Sequence, residues 1–320
     1  MPVVSKEKQW SKADSGMILS SFFWGYTLTQ VASGYISDRM GGQRVMWIAA
    51  LGWSLSTFFM SDVIEMFSSS IHCVLIVAIA RVLNGTLGLL WTLFLYYQSL
   101  TVQRKKIKST EDSIHSTLPW RQLWSKSPFW SCVFTHACQN NCFFVLLSWM
   151  PTYFHDTFPD VQSWKVNMIP WLSLVPCTFI AKMLSERLIK TGYSVTATRK
   201  IIETICLTTQ SINLLILCKL YSRVTTFPSA MICLMLIIGG TGFHNTAIAV
   251  NPSDLAPKHS GSVFGIMNSI GAVPGFLGVY LAGYILHMTH SWAAVFVLTS
   301  IIDALGCIVY LTFGSGQPII

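Results

Sequence analysis

Ser20–Arg44 reads SSFFWGYTLTQVASGYISDRMGGQR, and its reading decides the fold. From Ser15 to Ser37 the chain carries no formal charge. A run of about twenty such residues is the length at which a helix crosses a ~30 Å hydrocarbon core. Charge then returns abruptly as Asp38-Arg39, followed by Gly41-Gly42 and Arg44, and a second apolar run starts at Val45. Two spans joined by so short a charged loop form an antiparallel hairpin, and Gly41 and Gly42 supply the backbone freedom for the reversal. Asp38 falls where the first helix ends. There it can pair with Arg39, with Arg44 or with a neighbouring helix terminus.

Composition supports the same class. Hydrophobic residues make up 52% of the 320 and charged residues only 11%, whereas soluble domains carry about 25% charged residues. The chain is therefore expected to be an all-α polytopic membrane protein with the lipid bilayer as its solvent. Its formal charge is +8. In a soluble chain that excess would suggest nucleic acid; here the basic residues gather in the loops and report membrane orientation, so no nucleic-acid partner is inferred. The nine cysteines all lie in apolar runs without metal-ligand spacing, and they read as small packing residues. No phosphate-cradling glycine loop with its lysine, no metal cluster and no nucleophile–base pair in a credible context is present, so the chain does not read as an enzyme or a metal protein.

Apolar runs recur near 15–37, 45–68, 71–98, 128–151, 166–184, 201–221, 227–250, 261–286 and 291–313, giving about nine transmembrane helices. The one long gap, Thr101–Lys126, holds Arg104-Lys105-Lys106, Lys108, Arg121 and Lys126 and has no apolar face. Residues 1–100 therefore read as a partial N-terminal transmembrane bundle, 101–127 as a basic cytosolic linker, and 128–320 as a C-terminal six-helix transmembrane bundle. With the 38–44 loop in the cytosol, alternation also places the linker, Lys182, Arg187, Lys190, Arg199, Lys200 and Lys258 there, as the positive-inside rule requires.

The loop Gly34-x-x-x-Asp38-Arg39-x-Gly41-Gly42-x-Arg44, with Phe22-Phe23-Trp24-Gly25-Tyr26 and Thr29-Gln30 before it, resembles the loop between the second and third helices of major facilitator transporters, in their solute carrier family 17 branch. Ser148–Pro159, Ile169-Pro170-Trp171-Leu172 and Pro119-Trp120-Arg121 look most like the branch's vesicular nucleotide carriers. Phe243-His244-Asn245 and Asn251-Pro-Ser-Asp254-Leu-Ala-Pro257 resemble the end of helix ten and the loop after it. This resemblance implies a major facilitator fold with an incomplete N-terminal bundle, helix one and most of helices four and five being absent. It implies uptake of a small organic anion, ATP or another nucleotide, into secretory vesicles or lysosomes, driven by membrane potential, with no cofactor and with chloride as activator. The alternatives are a proton-coupled carrier of sialate, glutamate or phosphate, and a truncated form that does not transport.

Arg81 is the most informative single residue. A charge within a span costs about 2.5–3.5 kcal/mol on insertion scales and usually faces a cavity or a partner. The family's substrate-binding arginine lies in an Arg-x-Leu-x-Gly motif, which matches Arg81-Val-Leu-Asn-Gly85 here. A guanidinium suits an anion because it stays charged and binds carboxylate or phosphate bidentately. Gln139, Asn140 and Asn141 are polar at membrane depth and read either as cavity lining or as helix packing. The intramembrane histidines His136 and His244 read either as pH-responsive groups or, in preference, as lone histidines each satisfied by a neighbouring helix. The candidate substrate-binding set is Arg81, Gln139, Asn141, His244, Asn245 and Asn251. The candidate cytosolic gating motif is Gly34, Asp38, Arg39, Gly41, Gly42, Arg44 and Asp254. Glu203 is expected to be solvated near a span end, Asp303 has no assignment, Pro151 is expected to bend or end its helix, and Tyr153-Phe154 to sit at the membrane interface. Gly271, Gly275 and Gly278 are spaced for close helix approach.

Protease applied to sealed vesicles with their cytosolic face outward should cut between Thr101 and Lys126. Protection of that segment, with cleavage elsewhere on the exposed face, would reverse the topology.

Overall fold

The computed structural model describes residues 10–25, 51–52, 54–66, 74–83, 120–161, 163–218, 226–257 and 259–320. The Gly34–Arg44 loop, on which the gating motif rests apart from Asp254, lies outside the described residues. Among the described residues of the first part of the chain, helix covers 51–52 and 54–58 as well as α1 (12–25), α2 (Met60–Met66) and α3 (Val74–Leu83). The short α4 (Trp120–Trp124) precedes α5 (Ser127–Thr157), α6 (Ser163–Met168), a 3-10 turn (Ile169–Ser173) and α7 (Leu174–Lys190). There follow α8 (Val195–Leu217), α9 (Phe227–Ala247), α10 (Asn251–Leu255), α11 (Ser260–Gly271), α12 (Val273–Thr289) and α13 (Trp292–Phe313). The protein is all-α.

Local sequence explains the boundaries. Pro128, Pro228 and Pro274 occupy the first turns of α5, α9 and α12, where a missing N–H costs nothing. The Ser194 hydroxyl caps α8 by accepting from Ala197 N–H at 3.1 Å. Gly192, at φ +97°, turns the chain between α7 and α8 in a conformation that L side chains rarely adopt. Pro274 also breaks the fifth apolar stretch of the second half, so that one apolar span is delivered as α11 followed by α12.

Five helical stretches, Lys165–Lys190, Val195–Leu217, Phe227–Leu255, Val263–Thr289 and Trp292–Phe313, are long and apolar enough to cross a membrane. The 31-residue α5 is long enough as well, but His136, Gln139, Asn140 and Asn141 make its middle polar. Within this half, α8 packs on α9 and α13, α9 on α7, and α5 on α12 and α13. Hydrogen bonds cross the contacts. Thr135 Oγ1 donates to Gly306 O at 3.0 Å, Trp149 Nε1 to Val279 O at 3.0 Å and Ser173 Oγ to Met235 O at 2.7 Å. Helix α1 lies across this half through Leu19 and Phe23, which join a cluster with Phe144, Trp149, Val279 and Leu286. Gly16 and Gly283 allow the crossing: a Cβ on Gly283 would stand 2.9 Å from Gly16 Cα. At the same end Lys12 Nζ meets Asp156 Oδ2 at 2.8 Å.

Two local expectations meet the packing. Of the two outcomes expected at Pro151, an end of the helix is not met: α5 continues to Thr157. Tyr153 and Phe154, in the last turns of α5, are buried against Phe227, Trp292 and Phe296, because α9 and α13 pack over them.

Close packing makes one glycine test the fold. A Cβ on Gly242 would lie 2.7 Å from the Thr178 backbone nitrogen, whereas one on Gly265 would meet nothing within 4 Å. Gly242→Ala should lower stability by about 1–3 kcal/mol, and Gly265→Ala should leave it unchanged or slightly raised. Thermal unfolding in detergent, followed by the monomer peak on size exclusion, reads both.

Candidate functional site

Arg81 stands in the last turns of α3, facing α1 and α5. Its guanidinium lies 6.0 Å from the Phe22 ring centroid, and its Nε is buried without a hydrogen-bond partner. It opens on a pocket of about 300 Å³ whose other walls are Leu19, Phe22 and Phe23 of α1 and Leu147, Ser148 and Pro151 of α5. One wall thus comes from each half of the chain, with a permanent cation between apolar and aromatic faces. Such a site supplies charge and a fork of donors to an anion while excluding water around it. The Pro151 ring is part of that wall, a role its position mid-helix does not announce.

The rest of the candidate set is dispersed. Gln139 is buried and donates from Nε2 to Thr241 Oγ1 at 3.2 Å, tying α5 to α9. Asn141 is buried against Gly278 of α12. Asn251 Nδ2 donates to the Tyr310 hydroxyl at 2.7 Å beneath the bundle. Asn245 points outward and is exposed. None of these lines the Arg81 pocket as the structure stands. Asp254, the described member of the gating motif, receives Arg199 Nε on Oδ2 at 2.8 Å and Arg199 Nη2 on Oδ1 at 3.3 Å. Arg199 Nη1 also donates to Thr246 O at 2.9 Å, so one guanidinium clamps α8, α9 and α10 together. The C-terminal tail closes the same end, Ile319 N–H donating to Leu255 O at 2.8 Å.

Two expectations are corrected inside the second half. Glu203 is not solvated: it is fully buried, and its Oε1 accepts from His244 Nδ1 at 2.8 Å. The histidines are not satisfied singly either. His244 Nε2 and His136 Nδ1 are 2.9 Å apart, and the rings lie end to end, 12° from parallel with centroids 5.2 Å apart. His136 Nε2 in turn faces Asn140 Nδ2 at 3.1 Å and Asn268 Oδ1 at 3.3 Å. Asp303 is fully buried on α13, its carboxyl group beside the Cys142 thiol of α5. Sequence reasoning missed this cluster because its members lie on four helices. Each one's polarity was legible; their meeting was not.

Several apolar helices long enough to cross a bilayer, with a cation-bearing pocket walled by both parts of the chain, fit a multi-pass membrane transporter, and comparison with known proteins agrees. The chain belongs to the Major Facilitator Superfamily, whose family model matches residues 1–86 and 81–279. It is similar to the mouse voltage-gated purine nucleotide uniporter SLC17A9, 31% identical over 388 positions that take in 100% of this chain and 86% of that protein. The human form is 30% identical, with 99% and 86% covered. The chloroplastic sodium-dependent phosphate transport protein 1 of Arabidopsis thaliana is 27% identical, with 99% and 75% covered. In fold the chain resembles the crystal structure of the E. coli fucose:proton symporter, with a TM-score of 0.52, 11% identity, and coverage of 98% of this chain and 94% of that one. The two-part family match meets at residues 81–86, where the resemblance places the loss of helix-four and helix-five residues. The mouse alignment likewise runs over 388 positions against 320 residues here.

The Arg199–Asp254 clamp carries its own test, since these side chains are only 11% and 19% exposed. Asp254→Asn leaves a largely buried guanidinium uncompensated and should cost about 3 kcal/mol. The double variant Arg199→Met/Asp254→Leu should recover most of that loss. Unfolding midpoints in detergent decide, and equal losses in the single and double variants would show that the charge pairing is immaterial.

Proposed function

We propose that this transporter carries organic anions of the nucleotide class, with Arg81 as the cation that binds them. The observation that carries this reading is the Arg81 guanidinium, walled by both halves of the chain and left with an unpartnered Nε. A pocket of about 300 Å³ is at the small end of ligand-sized cavities, suited to the phosphate part of a nucleotide. The aromatic faces of Phe22 and Phe23 line the same space. The nucleotide assignment draws on the purine nucleotide uniporters named above.

Physics favours potential-driven movement of such a substrate. Each charge crossing 100 mV is worth about 2.3 kcal/mol. An anion of three to four charges would gain roughly 7–9 kcal/mol, which is about five to six decades of accumulation. A compartment with positive interior potential, a secretory vesicle or lysosome, is where that arrangement accumulates nucleotide. A second reading rests on the shortened first half: the family match in two pieces supports a form that inserts but does not move substrate.

Purified chain in liposomes with an imposed inside-positive potential separates these. Saturable uptake of labelled ATP, exceeding that of phosphate, glutamate and sialate, supports the first reading. Arg81→Ala should then abolish uptake with helicity retained, and Arg81→Lys should restore little, because an ammonium has no planar fork. Uptake of glutamate, sialate or phosphate in preference to ATP overturns the nucleotide assignment. Correct insertion with no uptake of any anion supports the non-transporting form.

A further inference from the structure

Helix α8 carries Glu203 two turns in from its start, fully buried, with one carboxylate oxygen on His244 and the other without a partner. From there a continuous line of polar atoms runs outward. His244 of α9 touches His136 of α5, and His136 ends on Asn140 of α5 and Asn268 of α11, both only half-buried. A fully buried carboxylate is thus connected, through two hydrogen-bonded imidazoles, to the partly accessible face of the helix set. We infer that Glu203, His244 and His136 form a proton-binding site inside the second half of the transporter, loaded from the Asn140–Asn268 end. The inference does not depend on which anion is carried.

Hydrogen-bond chemistry along the line is consistent at every link. With Glu203 ionised, His244 Nδ1–H donates to Oε1. His244 Nε2 is then a lone pair and accepts from His136 Nδ1–H. His136 Nε2 is also a lone pair, and it accepts from Asn140 Nδ2, whose other hydrogen goes to Gly271 O at 3.0 Å. The same nitrogen has the Asn268 carbonyl oxygen at 3.3 Å, an acceptor that a neutral Nε2 cannot use. Each charge state of the outer nitrogen therefore meets one matched amide: Asn140 when it lacks a proton, Asn268 when it bears one.

The transfer balances. A proton arriving on His136 Nε2 makes an imidazolium, whose Nδ1 proton passes to His244 Nε2. The His244 Nδ1 proton then passes to Glu203 Oε1. One proton has entered, both rings are neutral in the opposite tautomer, and the carboxylate has become a carboxylic acid.

The surroundings supply the reason to hold that proton. Ionisable groups that share the interior with Glu203 are Cys132 and Cys138 of α5, Cys206 and Arg199 of α8, Asp254 of α10, and Asp303, Cys307 and Tyr310 of α13. Helix α11 brings Asn268 and no ionisable side chain. Arg199 is the one permanent cation of this set, and Asp254 already occupies it. Glu203 and Asp303 therefore share a low-dielectric interior, and the other cation of α8, Lys200, donates to Leu311 O at 2.8 Å in an exposed hydrogen bond. Ionisable side chains at membrane depth are costly and are characteristic of proton relays. A proton neutralises the cluster where no fixed cation does. Because the line joins α5, α8, α9 and α11, its loading also changes the polar contacts among four helices at once.

The experiment is infrared difference spectroscopy on the full chain in liposomes, stepped between about pH 8 and pH 5, the range in which histidine-linked protons move. The wild type should convert one more carboxylate to carboxylic acid than Glu203→Gln does, while Asp303→Asn keeps the Glu203 signal. His136→Asn retains the carboxylate but removes the entry ring, and should slow the Glu203 signal at least tenfold after a pH jump. Size-exclusion profile and helical circular dichroism establish that each variant is folded. Should Glu203→Gln fail to fold, the His136→Asn rate alone decides. Identical titration and rate in wild type and variants would overturn the inference. So would bands that ignore pH but shift when sodium replaces potassium, which would make the site a sodium site. Neither measurement requires anion uptake, so failure here and failure of the nucleotide reading are separately visible.

Discussion

Hydrocarbon offers no hydrogen bonds, and this constraint governs the whole structure. Every backbone amide must be satisfied within its own helix, and every polar side chain at membrane depth must find its partner in the protein. The second half shows the consequence: Gln139 on Thr241, Asn251 on Tyr310, and Arg199 on Asp254 and Thr246 tie helices together. Close approach of the backbones makes these bonds reachable, and it is purchased with glycine. Gly16 against Gly283, and Gly242 against Thr178, leave no room for a methyl group.

Against that background the unsatisfied groups stand out. Arg81 keeps a free Nε beside a pocket shared by both halves of the chain, and Asp303 has beside it the Cys142 thiol, a weak donor. An orphaned buried group costs about 1–3 kcal/mol. Under the function proposed above, Arg81 is where substrate charge would complete the set. The Glu203–His244–His136 line is the complementary case, hydrogen-bonded from ring to ring with one Glu203 oxygen left unpartnered.

The two ends of the second half are closed by different means. At the α5–α13 corner, Lys12 pairs with Asp156 at partly exposed positions and lies 5.9 Å from the Trp292 ring. Screening makes such a contact weak and easily opened. At the opposite end the Arg199–Asp254 clamp is largely buried and is backed by an apolar cluster that includes Leu123, Tyr310, Ile319 and Ile320. The weaker closure joins the two halves; the stronger one holds the second half together. That distribution suits a molecule whose halves move relative to each other as units.

Sequence alone determined the class and the family, because apolar length, loop charge and short motifs are properties of contiguous residues. It also singled out Arg81, since a guanidinium inside an apolar run is conspicuous without any neighbour. Pro128, Pro228 and Pro274 marked helix starts for the same local reason. What it could not determine was company. Glu203, three residues from Lys200 and near a span end, read as solvated, yet α9 and α13 bury it completely. His136 and His244 are 108 positions apart and meet at 2.9 Å. Pro151, expected to bend or end its helix, lies inside α5 and lines the Arg81 pocket, a place set by how α1, α3 and α5 meet. Burial and contact depend on which helix faces land against one another, and that is decided by the three-dimensional fit of glycine notches and side chains contributed by distant parts of the chain.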